Sequence, residues 1–386
     1  MALLIGIGAL GFPTQSLVGS PGDVQSIATH HKARPQRASH LDHVVIVAID
    51  GVRWEEVFLG LDRARLSASE RSAVEASSDD YLTEIRAIAG TRGILIGSDS
   101  SRVFVSSASA VSLPGYAELF SGRTPTCHDN DCPATQTSTL LDELKNADPG
   151  AVIALVSSWS PLVRVAANTP SHLVISAGRD QESNLENLRA APHLRRLLDL
   201  GRNASPIPGT GSYRPDCHTA AIALEVLERL HPNFLFIGLG DTDEYAHQNR
   251  YSSYVTALRE ADRTVGHVHR WLEHARSSGK RTLLVVTTDH GRASSFRNHA
   301  NAPEARRIWM LLSGTPVTHW GRPSMRDSRL ADLAQTLRAE LDLSLDRHRD
   351  AGALRLDWFR SKAVDHIEGY PKHSDASHAR GSVAQR

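Results

Sequence analysis

Three continuous apolar runs, far apart in the chain, each stop at an aspartate. His43-Val-Val-Ile-Val-Ala-Ile49 leads into Asp50-Gly51. Asn233-Phe-Leu-Phe-Ile-Gly-Leu239 leads into Gly240, Asp241 and Asp243. Thr282-Leu-Leu-Val-Val-Thr-Thr288 leads into Asp289-His290-Gly291. A strand with one wet face alternates apolar and polar residues. Unbroken runs like these belong to strands covered on both faces, as in a parallel sheet between helices. Such a sheet binds ligands beyond the carboxyl ends of its strands, where all three acidic clusters would collect.

The rest of the chain supplies the helices. Residues 61–90 are charged and Ala-rich, and Ser138–Ala147 turns Leu140, Leu141 and Leu144 to one side. Thr219–Leu230 reads as a helix. A longer one repeats Tyr254, Leu258, Ala261, Val265, Val268 and Leu272 at steps of four and three, and Leu330, Leu333, Leu337 and Leu341 mark a last one. Further strands are expected at Gly93–Gly97, Val103–Val105, Ala151–Val156, His172–Ser176 and Arg307–Leu312. Strands alternating with helices argue for an α/β domain over residues 41–345. Residues 178–215 are polar and irregular and read as a lid or insertion beside the site. Residues 346–386 read as a polar C-terminal tail. Residues 1–40 read as a signal peptide and linker, with an ordinary buried segment as the alternative for the apolar start.

The 386 residues carry 43 basic and 43 acidic side chains, a net charge of zero that gives no support to binding of a nucleic-acid polymer or an anionic membrane. No apolar run is long enough for a transmembrane anchor. Cys127 and Cys132 lie close enough to pair, as in an exported protein, or to stand as free thiols in a cytoplasmic one. Cys217 is left over, and with no second Cys pair a thiolate zinc site is not expected.

One aspartate after a strand is most often a turn former or a helix cap. Three such ends, two with histidine nearby, call for more. Asp243 and His247 are four apart, so a helix would put both on one face, where they can share a metal ion. Asp241 would point elsewhere and orient a neighbour. His299 follows Asp289-His290 in a loop able to fold back over the same edge. Oxygen and imidazole donors without thiolate suit zinc, with manganese or magnesium less favoured. A separate stretch, Ser112-Leu-Pro-Gly-Tyr-Ala-Glu-Leu-Phe-Ser-Gly-Arg123, sets a hydroxyl at the start of a helix, since Pro114 fits a first turn. Alone, Ser112 reads as a cap, though the free N–H groups of a helix N-terminus favour an anion there.

In order and spacing, Asp50-Gly, Ser112-Leu-Pro114, Asp243-x-x-x-His247, Asp289-His-Gly291 and His299 resemble the alkaline phosphatase superfamily, on its type I phosphodiesterase/nucleotide pyrophosphatase side. The resemblance runs from about Val44 to about Leu312. It implies an alkaline-phosphatase-like three-layer α/β/α sandwich with a mostly parallel central sheet. It implies two divalent ions: one held by Asp50, Asp289, His290 and the Ser112 hydroxyl, the other by Asp243, His247 and His299. Ser112 would be the nucleophile, attacking a small phosphate-ester substrate and passing through a phosphoserine. The chain departs from the phosphodiesterases at Ser112 and Gly115, where they often carry Thr and Asn. Asn130 sits where an Asn that contacts phosphate is expected, in unlike surroundings, and a turn role fits it as well. Arg292 is a candidate anion contact; Arg123 suits a helix end. Tyr116 stands where sulfatase relatives need Arg for formylglycine, which disfavours a sulfatase. A phosphoryl transferase or mutase, and a non-catalytic metal-binding protein on the same fold, are the rival readings.

Overall fold

The computed structural model describes residues 40–76, 81–185 and 191–359. The expected signal peptide and most of its linker, and residues 360–386 of the tail, lie outside the described residues. Eleven strands are described: β1 His43–Ile49, β2 Gly93–Ile96, β3 Val103–Phe104, β4 Ile153–Ser157, β5 Val174–Ala177, β6 Gln181–Ser183, β7 Phe234–Leu239, β8 Thr282–Thr287, β9 Arg307–Ile308, β10 Met310–Gly314 and β11 Ser328–Arg329. Eight form one sheet in the order β2-β10-β8-β1-β7-β4-β5-β6, and β11-β3-β9 form a small second sheet. In the large sheet only β10 and the edge strand β6 run against the rest.

The three apolar runs that end in aspartate are the adjacent central strands β8, β1 and β7. Successive side chains of β1 go to opposite faces. Val44, Ile46 and Ala48 enter one core, and Val45, Val47 and Ile49 enter the other. The first core is roofed by helices Ser112–Ser121, Leu140–Ala147 and Ala331–Glu340. The second is roofed by Thr83–Thr91, Pro192–Arg202, Asp216–Leu230 and the long helix Tyr251–Ser277. Each buried aliphatic side chain contributes roughly 1.5–3 kcal/mol. This two-sided burial is why β1 contains no polar residue after His43. The architecture is the expected α/β/α sandwich with a mostly parallel sheet.

Three expectations need correction. Residues 178–215 are not irregular throughout: they hold β6 and the helix Pro192–Arg202, which buries Leu194 and Leu198. The run Arg307–Leu312 is not one strand. It divides between the two sheets as β9 and β10, with buried Trp309 at the junction donating its indole N–H to the Val52 carbonyl at 3.2 Å. The folded part does not stop at residue 345, because Trp358 and Phe359 are buried in the first core.

Candidate metal centre

The carboxyl ends of β8, β1 and β7 bring Asp289, Asp50 and Asp243 together. Gly51, just past β1, has φ +64, and a Cβ there would lie 2.4 Å from Asp243 Oδ1. Only glycine lets this turn form and lets Asp243 approach. The turn is tied down on both sides. The Gly51 amide donates to Asp289 Oδ1 at 3.2 Å, and the Thr242 hydroxyl donates to the Asp50 carbonyl at 2.6 Å.

The helix Ser112–Ser121 reaches this edge through a second glycine. A Cβ on Gly115 would stand 2.4 Å from the Asp289 carbonyl oxygen. Close approach puts Ser112, the first helical residue, beside His290: its Oγ is 3.2 Å from His290 Nε2. The Ser112 side chain does not cap its own helix. Instead Asn130 Oδ1 accepts the Leu113 amide at 3.0 Å, so that Asn130 caps the helix at the residue after Ser112.

Asp50, Asp289 and His290 form one compact group of potential ligand atoms. His290 Nε2 lies 3.5 Å from Asp50 Oδ1 and 3.4 Å from Asp289 Oδ2. Both of those carboxylate oxygens are buried with no hydrogen-bond partner. Buried oxygens left unpaired and facing each other are costly unless a cation sits among them. Burial, then Asp289 and Asp243, push the Asp50 carboxyl well above its usual range; burial and Asp243 push Asp289 up to about 7. The Tyr116 hydroxyl donates to the other Asp50 oxygen at 2.9 Å.

Asp243, His247 and His299 form the second group. Asp243 and His247 lie on one face of the helix Asp241–His247, with Asp243 Oδ2 3.0 Å from His247 Nε2. His247 Nε2 in turn is 3.1 Å from His299 Nε2. Two imidazole nitrogens facing one acid at this distance form a donor set suited to a shared cation. Backbone carbonyls select the tautomers. His299 Nδ1 is 2.5 Å from the Ala110 oxygen and His290 Nδ1 2.8 Å from the Gly291 oxygen, so each ring keeps its Nε2 lone pair for the site. Burial pushes His290 down to about 4 and His299 down to about 3, so both are neutral at physiological pH. Their rings stack with centroids 3.9 Å apart, which sets the two groups side by side.

The structure thus gathers Ser112 and the six Asp and His residues singled out in the sequence. Arg292, expected as an anion contact, lies beside Asp243. It is buried and committed, donating to Asp243, to the Phe296 carbonyl and, at 2.7 Å, to the Arg297 carbonyl. Three of its five N–H donors are engaged within the protein, one of them by a member of the site itself. With burial alone Asp243 would titrate high; Arg292 and His247 hold it well below the usual range. Arg123 reaches away to Asp346 at 2.5 Å. Tyr116, as a partner of Asp50, had no signal in the sequence. Cys127 and Cys132 are disulfide-bonded, closing the loop that carries Asn130, and Cys217 is free and exposed. Among the described residues no helix is long and apolar enough to cross a membrane.

Residues 201–344 match the family model described as Metalloenzyme superfamily. That span includes five of the acid and imidazole positions described above. No curated protein sequence matches the chain. Among solved structures, alkaline phosphatase PafA is similar at 11% identity and a TM-score of 0.54, over 83% of this chain and 99% of that one. The phosphonate monoester hydrolase from Silicibacter pomeroyi is similar at 14% identity and a TM-score of 0.51, over 81% and 76%. The lipoteichoic acid synthase LtaP from Listeria monocytogenes is similar at 10% identity and a TM-score of 0.51, over 80% and 73%. At these identities the likeness is one of fold. The resemblance to the alkaline phosphatase superfamily holds, and nothing in these matches singles out its nucleotide pyrophosphatase group.

Proposed function

We propose that this chain, alkaline-phosphatase-like in fold, is a metal-dependent hydrolase of phosphate esters with Ser112 as its nucleophile. Asp50, Asp289 and His290, with the Ser112 hydroxyl, would hold one divalent ion; Asp243, His247 and His299 would hold the other. Three imidazoles among oxygen donors favour zinc, ahead of manganese or magnesium. The observation that carries the reading is the position of Ser112 Oγ. It sits at a helix start, 3.2 Å from His290 Nε2, the same nitrogen that lies 3.5 and 3.4 Å from two buried and unpaired carboxylate oxygens.

When bound, the ions supply Lewis acidity, lowering the pKa of a bound hydroxyl or water and offsetting the charge of the transferring group. The chain does the rest. Ser112 Oγ bonds to phosphorus as the bond to the leaving oxygen breaks, and the proton Ser112 gives up passes through solvent to the leaving oxygen. Water later cleaves the seryl phosphate and restores the hydroxyl. The helix N-terminus behind Ser112 favours the phosphate charge. His290 and His299, held as neutral Nδ1–H tautomers, present lone pairs rather than protons to the site.

Transfer to an acceptor other than water is the second reading. The mutase relatives carry a large inserted domain between the serine and the later ligands. Here that interval is occupied by core elements, β4 to β7 and three helices roofing the sheet, among the described residues. This favours hydrolysis. Tyr116, bonded to Asp50, stands where formylglycine formation would need Arg, which speaks against a sulfatase. The disulfide supports export to an oxidising compartment.

The test is turnover of p-nitrophenyl phosphate and of its bis-ester by wild type and Ser112→Ala, each with and without chelator. Activity should need metal and fall by at least about a thousandfold in the variant, the scale on which loss of a catalytic nucleophile acts. Full metal-dependent activity in Ser112→Ala would remove the nucleophile assignment. A wild type that binds ions yet turns over neither ester would support the non-catalytic alternative.

A further inference from the structure

Two helices begin face to face at the carboxyl edge, and each is capped by the other's first residue. Asp216 opens the helix Asp216–Leu230, and Asp241 opens the helix Asp241–His247. Asp216 Oδ1 accepts the Gly240 amide at 2.8 Å and the Ser158 hydroxyl at 2.5 Å; its Oδ2 accepts the Asp241 amide at 2.9 Å. In return Asp241 Oδ1 accepts the Asp216 amide at 3.2 Å and the Tyr213 hydroxyl at 2.8 Å. The packing is close. A Cβ on Gly240 would come within 2.9 Å of the Tyr213 hydroxyl oxygen.

We infer that Asp216 is a positioning residue for the group Asp243, His247 and His299. It touches none of those three side chains. It holds two successive amides at the point where the chain leaves β7, and so sets where the next two turns of helix begin. Asp243 and His247 ride on those turns, and a small rotation at the start would be magnified at His247, the last helical residue. Other restraints act further along the helix, where the Thr242 hydroxyl donates to the Asp50 carbonyl, Arg292 to Asp243 and Arg297 to the His247 carbonyl, whereas Asp216 holds the two amides that open it. Ser158, the residue that follows β4, ties the clamp across to β7, since its amide donates to the Gly238 carbonyl at 2.9 Å. The inference rests on the reading of that group as a metal site.

The molecule contains its own control. Asp262, in the long helix, accepts two successive amides at the start of another helix, those of Glu84 at 3.0 Å and Ile85 at 2.9 Å. The helix it caps, Thr83–Thr91, carries none of the site residues. Asp216→Asn and Asp262→Asn therefore make the same chemical change at two caps, one leading to the site and one not.

The experiment is zinc titration of the chelator-stripped full chain by calorimetry, with metal counting after gel filtration and the melting temperature read alongside. Wild type is expected to take up two ions. Asp216→Asn should keep one ion at wild-type affinity and bind the second about 10–100-fold more weakly, the range seen when support for a metal ligand is lost. Asp262→Asn should lose stability and keep both ions. In a His299→Ala background, where the second ion is already weakened, Asp216→Asn should cost little more. Wild-type binding of both ions by Asp216→Asn overturns the inference, as does an equal loss in Asp262→Asn. If Asp216→Asn does not fold, Ser158→Ala decides, because it removes one donor to the same carboxylate: the second ion should weaken severalfold, and unchanged affinity overturns the proposal. A wild type with fewer than two ions would count against the site reading itself, not against the role of Asp216 within it.

Discussion

At the scale of single residues, Tyr116 does the most for the least visible reason. Its hydroxyl fixes one oxygen of Asp50, which leaves the other aimed, unpaired, at Asp289 and His290. Tyr116→Phe keeps the ring, its edge-on contact with Phe236 and its burial, and removes only that bond. The fold should lose about 0.5–1.5 kcal/mol, an ordinary hydrogen bond. The first ion should bind about 10–100-fold more weakly, as expected when a ligand's orienting partner is removed. Denaturant unfolding and calorimetry separate the two effects; a stability loss with unchanged affinity would make Tyr116 a packing residue only. The sequence shows the aspartates because their type and their place after apolar runs coincide. It cannot show the Tyr116–Asp50 contact, which joins positions 66 apart through the fold. Arg292 shows the same limit. Its neighbours in the chain suggest an anion site, but not that its guanidinium bonds Asp243 and two backbone carbonyls.

Among the elements, the Ser112 helix must be held at its far end if Ser112 is to stay within reach of His290. Glu118 does this while fully buried. Its carboxylate accepts the Ser106 amide and the Ser106 hydroxyl, both at 2.7 Å, and the Ala331 amide at 2.9 Å. The helix is thereby pinned between the exit of β3 and the start of the helix Ala331–Glu340. Glu118→Gln leaves one acceptor oxygen and turns an amide N–H₂ toward a donor. A loss of about 1–3 kcal/mol is expected from the group left unsatisfied. It should appear as a lower urea midpoint at unchanged slope; an unchanged midpoint would show that the helix is held by packing alone. Elements were legible where burial is two-sided or the apolar stripe is long, as in β1, β7, β8 and Tyr251–Ser277. The helix Pro192–Arg202 was not, because among its charged residues only Leu194, Leu198 and Gly201 are buried. Trp358 and Phe359 were missed likewise, as a short apolar pair in a polar segment.

For the whole molecule, the decisive quantity is the charge gathered at one edge of the sheet. Strand order was beyond the sequence, since nothing in the apolar runs says that β8, β1 and β7 are neighbours. Once they are, three carboxylates crowd together and stability becomes linked to protons and metal. In the metal-free protein Asp50 and Asp289 titrate above the ordinary carboxylate range, Asp289 at about 7. The folded form then binds their protons more tightly than the unfolded form does, so their contribution is greatest in acid and falls as pH rises, the Asp289 part being lost through about 7. His290 and His299 act the other way. Lowered to about 4 and about 3, they contribute above the ordinary histidine value of about 6.5 and lose that contribution as pH falls below it. Above about pH 6.5 the histidine part is complete, and the metal-free protein should go on losing stability as Asp289 ionises. Ion binding needs all of these ligands deprotonated. The gain from metal should therefore be small near pH 5 and widen through pH 7, approaching about 4 kcal/mol per ion when free ion exceeds its Kd a thousandfold. Melting temperatures with zinc and with chelator, taken at several pH values from about 5 to 8, measure that gap directly. A gap that stays constant across the range would mean that Asp289 is not among the groups an ion must displace protons from, and with it the first site would have to be redrawn.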